Sequence, residues 1–175
     1  TAAPNDPLFS AQWALKNTGQ NQGTAGIDIN YLPAREVTQG SSDIIVAVLD
    51  HGTQLDHPDL NVSSKSYDTE TGRSPSQIWG NHGTACSGII SAKTNNNLGV
   101  AGIAPNCPVM SISNQLMGTS DAPQKRADGF NWAWRNGASV ISNSWRSSTF
   151  SELLEDAIQS AMTHGLNCLG SVVTF

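Results

Sequence analysis

The stretch that most restricts the fold is Ile44-Ile45-Val46-Ala47-Val48-Leu49, an unbroken apolar run rich in β-branched side chains. A strand with one wet face alternates polar and apolar residues. An unbroken run asks for cover on both faces, and such strands belong to parallel sheets sandwiched between helices. The run stops on Asp50-His51-Gly52, which places an acid at the carboxyl end of a strand. In open α/β sheets that edge is where ligands bind.

The rest of the chain alternates in the same way. A short helix is expected around Pro33–Val37, and a short second strand near Val62–Tyr67. A helix is expected from about Asn81 to Lys93, with Ala85, Ile89 and Ala92 on its apolar face. Pro108–Ser113 reads as a third strand and Ala122–Asn136 as a helix stopped by Gly137. Ala138–Asn143 reads as a fourth strand. A helix capped by Ser151 and ended by Gly165 follows, then a fifth strand over Cys168–Phe175. Strands alternating with helices predict a doubly wound parallel α/β sheet. Residues 1–175 read as a single partial domain, with 1–26 a polar N-terminal arm.

Charged residues make up 13% of the chain and the formal net charge is −5. An acidic, charge-poor surface argues against nucleic acid or an anionic membrane as partner. No run reaches the length of a membrane span, and no basic-then-apolar leader opens the chain. Cys86, Cys107 and Cys168 match no zinc spacing and read as small buried hydrophobes. Cys168 as a nucleophile is the weaker rival, since no base lies near it in sequence.

The second informative stretch is Gly80-Asn81-His82-Gly83-Thr84-Ala85-Cys86-Ser87-Gly88. A serine hydroxyl attacks well only when a base takes its proton, and histidine is the natural base near neutral pH. A carboxylate on the other ring nitrogen fixes the tautomer and stabilises the imidazolium. Asp50 at a strand end and His82 at a helix start are expected to meet at one sheet edge. The plainer reading makes Asp50 a turn residue and Asn81-His82 a helix cap.

Taken together the two stretches resemble the subtilisin-like serine protease family, whose triad runs Asp, His and then a distant Ser. The resemblance also rests on His57-Pro58-Asp59-Leu60 and Gly99-Val100-Ala101-Gly102-Ile103-Ala104-Pro105. Ser142-Asn143-Ser144-Trp145 and the opening Pro4–Trp13 look more like the kexin branch. The resemblance implies a peptide or protein substrate, with Asp50 orienting and His82 as general base. It implies a strand order of 2-3-1-4-5, truncated after about five strands. Ser144, Trp145 and Arg146 would then pair with the substrate backbone, although the family usually carries Gly where Arg146 stands. A structural Ca²⁺ would be held by Gln12, Asp59 and Asn96 with the carbonyls of Thr94, Leu98 and Val100. A solvated Asn-rich loop is the alternative there. No catalytic cofactor is implied.

The family's serine and its oxyanion Asn are both expected beyond Phe175. Gly118-Thr119-Ser120 imitates the serine motif but lies too close to His82, and Ser120 reads as a helix cap. The chain alone is therefore expected to hydrolyse no peptide. A non-catalytic remnant or interaction module on the same fold is the alternative. A metallohydrolase using Asp50, His51, His57 and His82 lacks the helical histidine spacing of zinc motifs. By family, the protein would be secreted or periplasmic. Its fifth strand would leave an open edge for self-association.

Overall fold

A computed structural model describes residues 2–147, 150–168 and 170–175, the side chains of Asn167 and Cys168 excepted. Five strands form a parallel sheet: β1 (Ile45–Asp50), β2 (Tyr67–Asp68), β3 (Val109–Ser113), β4 (Ala138–Ser142) and β5 (Val172–Thr174). Their order is β2-β3-β1-β4-β5, as expected. The helices are α1 (Tyr31–Val37), α2 (His82–Ser91), α3 (Ala122–Arg135) and α4 (Glu152–Cys168).

Side chains alternate across a strand, so β1 serves two different layers. Ala47 and Leu49 join Met110, Ile112 and Ile141 against Phe130, Ala127 and Ala133 of α3 and Ala157 and Ala161 of α4. Val46, Val48 and Asp50 belong to the opposite face, the one covered by α2. This alternation, together with β1 ending at Asp50, aims the carboxylate at α2.

The face of α2 differs from expectation. Ala85 is exposed and Ile89 is 58% exposed, while Gly83, Ser87, Gly88 and Ser91 point inward. Ala92 is buried, but just beyond the helix end. The layer beneath mixes Val46 and Val48 with hydroxyls, and the hydroxyls pair with those of α2. Ser87 Oγ lies 2.6 Å from Thr53 Oγ1, the Thr53 N–H donates to Ser111 Oγ, and Ser91 Oγ donates to the Cys107 carbonyl.

Two strands are shorter than predicted. Val62 makes only an isolated bridge to Val109, and regular pairing begins at Tyr67. Between them hydroxyls capture the backbone, as where the Lys65 N–H donates to Ser63 Oγ. At the other end α4 passes through Gly165 to Cys168, and β5 starts only at Val172. Gly165 is a packing residue, since a Cβ there would collide with Ser171 Oγ. The backbone turns left-handed at Leu166 (φ 48°), directly after Gly165, and again at Gly170 (φ 82°), whose N–H returns to the Gly165 carbonyl. The Ser151 cap is present, its Oγ accepting from the Leu154 N–H. Ser120 is not the cap: Asp121 holds the N-cap of α3, without a side-chain bond to the helix backbone.

The N-terminal arm is packed rather than loose. Phe9 and Leu15 form a small core with Tyr31 and Ala101.

Candidate active site

Asp50 is fully buried at the end of β1, and His82 is the first residue of α2. Two glycines let these elements close. Gly52 turns at φ 94°, where a Cβ would strike the Gln77 carbonyl. A Cβ on Gly83 would sit 2.5 Å from the Gly52 carbonyl oxygen. With neither present, His82 Nδ1 lies 2.8 and 2.9 Å from the two Asp50 carboxylate oxygens. The His51 N–H also donates to Asp50 Oδ1, at 2.7 Å. The His82 side chain remains 52% exposed.

The surrounding loops are tied to the same corner. The Asn114 N–H donates to the Asp50 carbonyl, and Trp145 Nε1 donates to the Leu49 carbonyl at 2.9 Å. Ser144 and Arg146 flank Trp145 and are exposed. The segment named from sequence is therefore brought beside the Asp50–His82 pair. His51 presents its ring edge-on to His82 with centroids 6.2 Å apart. His57 lies elsewhere, its Nδ1 accepting from the Asp59 N–H.

One residue missed from sequence joins the pair. Cys86 Sγ lies 3.7 Å from His82 Nδ1 and 3.9 Å from Nε2. Burial pushes its thiol pKa up, a hydrogen bond from Ser144 opposes that, and the Asp50 charge adds to the rise. The i, i+4 spacing of His82 and Cys86 on a helix was the available signal. Cys107 is buried as expected, while the Cys168 side chain lies outside the described residues.

Chemically, a buried carboxylate on Nδ1 fixes the tautomer that carries its lone pair on Nε2, which is the state of a general base. The subtilase family model matches residues 41–174. The chain belongs to the subtilase family. This subtilase is 34% identical over 168 residues to a thermophilic serine proteinase of Bacillus sp. strain AK1, covering 94% of the chain and 41% of that protein. It is 38% identical over 117 residues to human neuroendocrine convertase 2, covering 62% of the chain and 18% of the convertase. The chain thus spans less than half the length of either relative. A solved protease structure from Pseudoalteromonas arctica aligns with a TM-score of 0.77 at 29% identity, over 98% of this chain and 58% of that one.

The subtilase's residues named for calcium gather at one place on the outer side of α2. Gln12, Asp59 and Val100 line a groove of about 710 Å³ there. Asp59 is buried and its Oδ1 accepts from Asn96 Nδ2 at 2.7 Å. Gly99 (φ 54°) passes so close that a Cβ would collide with Asp59 Oδ2. Gln12 is bound through both amide atoms to the Ala101 backbone. The carbonyls of Thr94, Leu98 and Val100 accept no hydrogen bond among the described residues.

Proposed function

We propose that these residues form the acid–base half of a subtilisin-like serine endopeptidase. The reading rests on one observation, the fully buried Asp50 carboxylate within 2.9 Å of Nδ1 on a half-open His82 ring. Asp50 keeps the proton on Nδ1. Nε2 accepts the serine hydroxyl proton as that oxygen attacks the peptide carbonyl, then passes it to the departing amine. On this reading the nucleophile is a serine that the residues named here do not supply, and without it Asp50 and His82 have nothing to activate. The substrate is a peptide or protein, laid as an added strand along Ser144-Trp145-Arg146. Among the described residues no helix is long and apolar enough to cross a membrane. The family resemblance supports a secreted or periplasmic setting.

A fluorogenic peptide assay tests the reading in two arms. The 175 residues alone are expected to give no turnover, and turnover blocked by a serine-directed inhibitor would contradict the placing of the nucleophile. In a complete catalytic domain containing them, His82→Ala is expected to lower kcat by about 10⁶-fold. A retained rate would remove His82 from the base role.

Calcium binding at Gln12, Asp59, Thr94, Asn96, Leu98 and Val100 belongs to the same proposal. The donors are hard oxygens, as Ca²⁺ prefers, and a half-turn of the Asn96 amide, which gives up the bond its Oδ1 accepts from the Leu98 N–H, presents that oxygen beside Asp59. The ion would clamp the arm to the loop after α2. Saturating Ca²⁺ is expected to raise Tm, with the rise lost in Asp59→Asn. No shift in the parent chain would remove the site.

A further inference from the structure

Arg126 of α3 is only 6% exposed, yet among the described residues no carboxylate comes within ion-pair distance of it. Burial works against its charge, and Glu70 favours that charge only from a distance, its own carboxylate being held by Lys125 at 2.7 Å. The Arg126 Nε finds no hydrogen-bond partner among the described residues. A cation taken out of water without an anion is costly, so the contacts that do hold it call for a reason.

Those contacts reach both flanks of the candidate site. On one side the guanidinium lies over the Trp145 ring, 4.7 Å from its centroid, and Trp145 follows β4. On the other side Nη2 donates to the Met117 carbonyl at 3.3 Å, in the loop between β3 and α3. β3 and β4 are the two neighbours of β1, so these segments stand on either side of the strand end that carries Asp50. We infer that Arg126 is a positioning residue that fixes the spacing of the two flanks, and with it the seat of a peptide laid along Ser144-Trp145-Arg146. The role toward the peptide rests on the protease reading, whereas the clamp itself does not.

The chemistry of the group suits the task. A guanidinium is planar and weakly hydrated, so it stacks on an indole face while its N–H groups reach sideways to a carbonyl. Stacking of this kind gains more away from water than at an exposed site. A cation over the ring also draws electron density from it, which strengthens the indole N–H as a donor. That N–H donates to the Leu49 carbonyl at 2.9 Å, one residue before Asp50. The clamp therefore runs from α3 through Trp145 to the end of β1.

The indole N–H of Trp145 reports on the clamp by NMR, its signal identified by its loss in Trp145→Phe. In the 175-residue chain, Arg126→Met is expected to shift that signal and to speed its hydrogen exchange by about tenfold. Tm is expected to hold, because the exchange for an apolar side chain of similar length removes an unpaired buried cation. An unmoved signal overturns the clamp. Should Arg126→Met fail to fold, Arg126→Lys, which keeps the charge but not the plane, replaces it and must move the same signal. In a complete catalytic domain, Arg126→Met is expected to raise KM for a hexapeptide by about tenfold with kcat held within about twofold, the mark of lost uniform binding. A single-residue ester, too short to lie along Ser144-Trp145-Arg146, is expected to lose less than about twofold. Equal losses on both substrates, or none on either, overturn the positioning role. A parent domain that turns over no peptide counts against the protease reading and leaves the NMR result standing.

Discussion

Asp50 stays in place because the polar groups around it are themselves paired. Thr53 Oγ1 and Ser87 Oγ share one buried hydrogen bond across the α2 face. Ser87→Ala leaves the threonine hydroxyl unpaired and is expected to cost about 1–3 kcal/mol in denaturant unfolding. Adding Thr53→Val should recover much of that, and a double variant as weak as the sum of the singles would contradict the coupling. Asp68 is the second buried acid of this layer. Burial raises its pKa, but bonds from Trp79, Thr71 and Ser113 outweigh that and hold it below the ordinary value. A lowered folded pKa stabilises above the unfolded value of about 3.9 and fades as pH falls through the folded one. Asp68→Asn should therefore be less stable than the parent at neutral pH, by about 2 kcal/mol. The gap should close below about pH 4, and a gap constant across the acid range would disprove the assignment.

Among the elements, α2 depends most on one small residue. Gly83→Ala pushes a methyl toward the Gly52 carbonyl, so the helix start must move off β1. A loss of about 1–3 kcal/mol is expected, with a displaced His82 imidazole resonance. An unshifted resonance would show that the helix start has slack. Elements were also where sequence reading succeeded and failed most clearly. The Ile45–Leu49 run announced its strand because cover on both faces leaves no polar residue to blur the pattern. Asp50 and His82 were legible for the same reason, each sitting at an element end. The face of α2 was not legible, because Ile89 points outward and serines point inward. Hydrophobic periodicity has no means of knowing that the sheet offers hydroxyls. Gly165 read as a stop signal, and the backbone does leave helical φ at Leu166, the next residue; its contact with Ser171 is what no local pattern encodes.

In the molecule as a whole, the sheet divides two kinds of interior. β5 is an outer strand whose Val172 is 59% exposed, and Phe175 beyond it is 70% exposed. Unpaired edges and apolar tips favour strand-to-strand association. The 175 residues are expected to self-associate as concentration rises, and a monomeric mass by light scattering at high concentration would refute this. On the inner sheet faces the division is sharper. The α3–α4 side is aliphatic and aromatic, around Leu49, Met110, Ile112 and Phe130. The α2 side carries Asp50 and its hydroxyls. Cores accept many simultaneous apolar exchanges when volume is kept, whereas a hydroxyl lattice accepts few. The two ends of one strand are therefore held to different degrees: the apolar positions of β1 on either face accept exchanges that keep volume, while Asp50 does not.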